Sequence, residues 1–158
     1  MDYANDILDA VISHPSLDSI CFNNCLGSHG NGYDILRILP TSNRTFSIDL
    51  ESNHIRTMGG THISNHLATI PPLTHLFLAD NHLTDNDAIL IAEALKENTS
   101  LEHIDLGGNY ITDVGRDALS NVFFDSASLN SVADSNQKYF IGGFCFGNIP
   151  ENRSSRYA

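Results

Sequence analysis

The chain has 158 residues, enough for one domain and at most a small second one. It carries 8 Lys and Arg against 19 Asp and Glu, a net charge of −11, which argues against nucleic acid or an anionic membrane surface as the main partner, because either would repel it. Apolar residues make up 41%, enough to bury a core, yet no apolar run approaches the ~20 residues needed to cross a bilayer.

The opening Met1-Asp2-Tyr3-Ala4-Asn5-Asp6 has neither a basic stretch nor an apolar one behind it. No secretory signal is read there, and the expected location is cytoplasmic. The three cysteines, Cys21, Cys25 and Cys145, are odd in number and lack a C-x-x-C pair, so neither a disulfide framework nor a zinc site is expected. The sequons at Asn43, Asn98 and Asn152 are then read as chance matches.

Residues 1–16 read as the second half of a repeat, with a helix at about residues 4–13. Strand-like segments then start at residues 17, 45, 73 and 101, a step of 28 each time. They run Leu17-x-x-Ile20-x-Phe22-x-x-Cys25, Thr45-x-x-Ile48-x-Leu50-x-x-Asn53-x-Ile55, Leu73-x-x-Leu76-x-Leu78-x-x-Asn81-x-Leu83 and Leu101-x-x-Ile104-x-Leu106-x-x-Asn109-x-Ile111. The alternation places one apolar set on one side of each strand. A fifth start falls at Leu129 with Val132, and the pattern then fails because Asp134 fills the next apolar slot.

Behind each strand lies a helical half. Ile7, Ile35, Ile63, Ile91 and Leu119 recur every 28 residues, as do Val11, Leu39, Leu67, Leu95 and Phe123. The two series are four residues apart, which is one face of a helix. The clearest helix spans 87–97, with Ile91 and Leu95 inward and Glu93, Lys96 and Glu97 toward water. Gly59 and Gly115 share a repeat position and suit a turn before the helix; Asp87 holds that position in the middle unit. One such unit cannot bury its apolar side alone, whereas stacked units can.

These residues resemble the leucine-rich repeat, L-x-x-L-x-L-x-x-N/C-x-L, over roughly residues 7–132. The 28-residue length and helical second half are similar to the ribonuclease-inhibitor-like subtype, shared with NOD-like receptors and Ran GTPase-activating proteins. The resemblance implies an α/β fold: a right-handed solenoid of 28-residue strand-helix repeats, with a parallel concave sheet and convex helices. It also implies that Asn53, Asn81 and Asn109 form a buried structural ladder, with Cys25 as a weaker hydrogen-bonding substitute at the same position. Thr45 in place of leucine and Leu26 one position early depart from the pattern. The domain reading is a solenoid over 1–132 (a half repeat 1–16, repeats from 17, 45, 73 and 101, a partial one from 129), then 133–158 as an irregular tail or cap.

In a parallel sheet, equivalent residues of successive repeats stack about 4.8 Å apart, so outward positions form columns. One column is Ser19, Ser47, His75 and His103; the next is Cys21, Asp49, Phe77 and Asp105. The first ten residues of the four units contain six acids, Asp18, Asp49, Glu51, Asp80, Glu102 and Asp105, and no Lys or Arg. An acidic concave face with Phe77 as apolar anchor suits a basic protein partner. His75, His103 and Asp105 share that face, but no metal site is expected from so few groups. His54 and His82 are read as turn residues, and His62 and His66 as convex-face or partly packed.

No G-x-S-x-G, P-loop or G-x-G-x-x-G occurs, and nothing places a base beside Cys21. No catalytic residue and no cofactor is therefore expected. The expected function is non-enzymatic protein binding on the acidic concave face, without nucleic acid or membrane. Two alternatives stay open: a regulator of a small GTPase, as the likeness to Ran GTPase-activating proteins implies, and one segment of a longer receptor-like array.

Overall fold

Three extended residues are all that each unit contributes before its chain turns, and they pair with the same three of the next unit. The computed structural model describes residues 10, 18–25, 47–123 and 140–142. Strands β1 (Ser19–Cys21), β2 (Ser47–Asp49), β3 (His75–Phe77), β4 (His103–Asp105) and β5 (Phe140–Gly142) form one sheet in chain order. All neighbours are parallel, with register Ser19↔Ser47, Ser47↔His75, His75↔His103 and His103↔Phe140. Helices α1 (His62–Ala68), α2 (Asp85–Leu95) and α3 (Asp113–Phe123) lie between successive strands, α1 packing on α2 and α2 on α3. This is an α/β repeat solenoid.

The middle residue of each strand from β1 to β4 is buried. Ile48, Leu76 and Ile104 are fully buried, as are Leu50, Leu78 and Leu106 two residues on. They meet Ile63 and Leu67 of α1, Ile91 and Leu95 of α2, and Leu119 of α3 in one core. The helix expected at 87–97 lies two residues earlier, so Glu93 on α2 and Lys96 and Glu97 just past its end stay in water, and Lys96 pairs with Glu93 at 2.7 Å. Such an exposed pair contributes little.

After each strand from β1 to β4 the chain bends through a left-handed residue: Asn24 (φ 50°), Ser52 (58°), Asp80 (53°) and Gly108 (66°). Asn and Asp tolerate this region better than other residues with a side chain. Gly108 has a second reason to be glycine, since a Cβ there would lie 2.0 Å from Asp80 Oδ1 and 3.2 Å from Asp80 Cα. The same bends prolong the sheet: Ser52 N–H donates to the Ala79 carbonyl at 3.0 Å and Asp80 N–H to that of Gly107 at 2.7 Å.

The next residue is the asparagine, and its amide fills the gap that the bend opens. Asn81 Nδ2 faces the carbonyls of Leu50 (2.9 Å), Leu78 (3.0 Å) and Ala79 (3.1 Å). Its Oδ1 accepts from Asn53 N–H (3.1 Å) and Ile55 N–H (2.8 Å). Asn53 reaches the Phe22 carbonyl at 2.7 Å and accepts from Cys25 N–H at 3.2 Å. Asn109 reaches the Leu78 carbonyl at 2.9 Å and accepts from Leu83 N–H at 2.9 Å. Cys25 itself is exposed, and its thiol donates to the Asn23 carbonyl at 3.2 Å.

Carboxylates set two of the helix starts, and one buried imidazole lies in the last turn of α1. Thr84 caps α2, and Asp87 in its first turn accepts from Thr84 N–H (2.7 Å) and Thr84 Oγ1 (2.9 Å). Asp87 also accepts from Thr57 Oγ1, which ties α2 to the preceding unit. Asp85 does the same forward: Thr112 N–H and Oγ1 each donate to it at 2.7 Å, and Gly115 N–H at 3.1 Å. The Thr112 hydroxyl bond, opposed in part by burial, leaves the Asp85 carboxyl below its usual range. His66 lies inside, 7% exposed, with Nε2 making no hydrogen bond, and burial lowers its pKa to about 4.

Three further sequence expectations change here. Gly59 does sit in a turn with φ 81°, but Gly115 lies in the first turn of α3. A Cβ there would meet Asp85 Oδ1 and Ile111 Cγ2 at 2.7 Å, so close helix packing, not a bend, demands glycine. His66 is a core residue. The strand that follows β4 is 37 residues past His103, at Phe140, inside the stretch read as irregular. Extending the 28-residue register would have put Asp134 at an inward position, whereas Phe140-Ile141-Gly142 carries no charge. The helix at 4–13, the turn at Leu26 and the partial repeat from Leu129 lie outside the described residues.

Asn81→Ala leaves several buried backbone groups unpaired and is expected to cost at least about 3 kcal/mol; an unchanged urea midpoint would contradict the ladder. Ser52→Gly relieves a left-handed side chain and should add about 0.5–1 kcal/mol, read from the same midpoint at constant slope. His66 stays neutral when folded but charges when unfolded. Stability should therefore be full above its ordinary pKa of 6.5 and fall as pH drops toward about 4, by on the order of 2–3 kcal/mol. Asp85 adds a further loss only below its ordinary pKa of 3.8. Thermal unfolding of His66→Leu should be nearly flat across the upper window; a slope equal to the wild type would refute the assignment.

Candidate protein-interaction face

Because inward and outward residues alternate, the strand ends point away from the core, and the parallel register stacks them. Ser19, Ser47, His75 and His103 form one column, and Cys21, Asp49, Phe77 and Asp105 the next. The His75 and His103 rings stack at 5.8 Å between centroids, with an angle of 17°. Phe77 lies 5.0 Å from the His103 ring and 6.2 Å from His75, so three aromatic rings form one patch across β3 and β4. Thr74 Oγ1 is 2.8 Å from His75 Nδ1. All three rings are half-buried, which leaves one side of the patch open.

The acids surround this patch unevenly. Asp18, Asp80 and Glu102 are exposed, and Asp49 and Glu51 half-buried. Asp49 Oδ1 accepts from Glu51 N–H at 3.1 Å, while Oδ2 is 3.4 Å from Cys21 Sγ. The Asn23 backbone bond draws the Cys21 thiol pKa down, but burial and the Asp49 carboxylate outweigh it and the net shift is upward. Such a thiol is not activated as a nucleophile. Asp105 corrects the sequence reading: it is 2% exposed, and its Oδ1 accepts from Gly107 N–H at 2.9 Å. It shapes the turn after β4 and is closed to a partner. The period of two gives direction but not depth, and depth is what Asp105 lacks access through.

Several residues have roles that the sequence reading did not assign. Asn98 is buried, with Nδ2 on the Leu67 carbonyl (2.8 Å) and Oδ1 accepting from Ser100 and Leu101 N–H (2.9 Å each). Its sequon is therefore a structural post closed to modification in the folded chain. Asp85 and Asp87 were legible only as acids at a helix start. His54, His82 and Tyr110 recur at 28-residue spacing, a signal that was present; they stack at 5.2 Å per step beside the outer face. Burial, with Arg56 and His54 nearby, holds His82 below its usual pKa.

Among the described residues, no three His, Cys, Asp or Glu side chains converge to hold a metal ion, and no helix is long and apolar enough to cross a membrane. No curated protein matches the chain. Residues 69–92 and 97–120 each match the Leucine Rich repeat family. Each match contains a ladder asparagine, Asn81 or Asn109, and the strand before it. Such repeats are generally non-enzymatic modules for protein–protein interaction, and nothing in the matched residues points to regulation of a GTPase. With their parallel strands, recurrent helices and asparagine ladder, residues 69–92 and 97–120 are leucine-rich repeats.

Proposed function

We propose that the chain binds a basic protein partner on the outer, concave face of its sheet. The observation that supports this reading most is the sign of that face. The ten-residue stretches from 17, 45, 73 and 101 contain no Lys or Arg, while Asp18, Asp49, Glu51, Asp80 and Glu102 reach its surface. A field of one sign steers an oppositely charged partner and rejects others. The His75–Phe77–His103 patch gives the apolar and aromatic contact that charge alone does not supply. A lysine or arginine laid over Phe77 gains a cation–π contact with carboxylates beside it. The ribonuclease-inhibitor-like subtype, the 28-residue repeat and the cytoplasmic location belong to the same proposal.

The test compares three proteins in capture from the source lysate. Wild type should retain a basic partner, and Asp49→Asn/Glu51→Gln/Glu102→Gln should lose it. A control that removes equal charge from the helices, Glu93→Gln/Glu97→Gln/Asp117→Asn, should retain it. Glu102→Gln alone should shift folding stability by less than about 0.5 kcal/mol. Equal loss from both triple variants would reduce the effect to net charge, and retention by all three would move the site off this face.

A further inference from the structure

Beside the proposed face lies a pair of imidazoles that the fold itself brings together. His54 and His82 each follow a ladder asparagine, one unit apart. Their ring centroids are 5.2 Å apart, and His54 Nδ1 is 3.1 Å from His82 Nε2. The two nitrogens, not the ring edges, therefore face each other. The backbones that carry them are fixed. Asn53 and Asn81 are buried immediately before, and His82 N–H donates to the Ile55 carbonyl at 3.0 Å. Tyr110 packs on the far side of His82 at 5.2 Å and limits its tilt.

Two nitrogens bound to one zinc ion, each about 2.0–2.1 Å from it, lie roughly 2.9–3.4 Å apart at right or tetrahedral angles. The separation of 3.1 Å falls inside that window. A shared N–H···N bond has the same length, and a cation distinguishes the two by displacing that proton. His54 is exposed, so water has access to the pair. The net charge of −11 draws cations toward the chain as a whole, and the Arg56 guanidinium near His82 opposes this locally. We propose that His54 Nδ1 and His82 Nε2 form a two-imidazole site for a divalent transition cation of the zinc class, with water completing its coordination. Imidazole selects such ions over magnesium and calcium, which take oxygen ligands. A bound ion joins two successive repeats and stabilises the folded chain by mass action.

The test is a titration of the full chain with zinc alone, following the ring resonances of all eight histidines by nuclear magnetic resonance. His54 and His82 should shift together, ahead of the others, and saturate near one equivalent. Magnesium should move neither. In His54→Gln, which alters an exposed side chain, the urea midpoint without metal should be unchanged and His82 should no longer respond to zinc. Zinc should raise the thermal midpoint of the wild type and not of the variant. Shifts spread evenly over the histidines would overturn the proposal. So would zinc uptake through Cys21 and Cys25 with His54 and His82 unmoved, or an undiminished His82 response in the variant.

Discussion

A chain that turns sharply after every short strand leaves peptide carbonyls and amides pointing into the molecule, where water does not follow. Leaving such groups unpaired costs more than a single lost hydrogen bond. The carboxamide solves this because it carries donors and an acceptor on one short arm. Asn81 bonds to the Leu78 and Ala79 carbonyls of its own unit and to Leu50 and Ile55 of the one before, so one side chain closes its own turn and fastens it to the preceding unit. The strands are only three residues long, too short to pair durably alone. Their register follows from the asparagines, and with it every column on the outer face.

The left-handed residue before each asparagine belongs to the same device. It turns the chain so that the amide points inward, and it is filled by Ser52, Asp80 and Gly108, with Asn24 at the same place before Cys25: four different residue types. The conformation repeats while the identity does not. That is the pattern expected when the backbone is held by its neighbours and the side chain there faces water. Gly108 shows the limit, since Asp80 occupies the space that any Cβ would need.

The periodic positions were legible in the sequence because burial and amide bonding each demand one residue type at one spacing. Leu76, Ile91 and Asn81 follow from that demand alone. What was not legible depends on contacts between units. Asp85 and Thr112 are 27 residues apart, and neither is an apolar or ladder position, so no periodicity announces their clasp. Asp105 sits at an outward position, yet its carboxylate bends back to Gly107. His66 follows the same helix face as Leu67 without being apolar, and only its depth reveals that it must remain neutral. The strand at Phe140 breaks the period, and a periodic argument has no means of finding it.

The division of labour across the sheet explains why stability and recognition place different demands on this chain. Inward positions answer to packing, where the loss of a single methylene is felt. Among the outward positions, Asp49 and Asp105 also hold the turns behind them, whereas Ser47, His75 and His103 share one column that lies outside the apolar core. A change of chemistry along a column, from serine to stacked imidazoles within three units, therefore has no folding cause. The column of His54, His82 and Tyr110 has the same property one turn further on. Both columns are rigid because the ladder beneath them is, and a rigid surface loses little conformational freedom when something binds to it. The fold thus supplies preorganisation everywhere, and chemistry only where the outward residues depart from small and neutral.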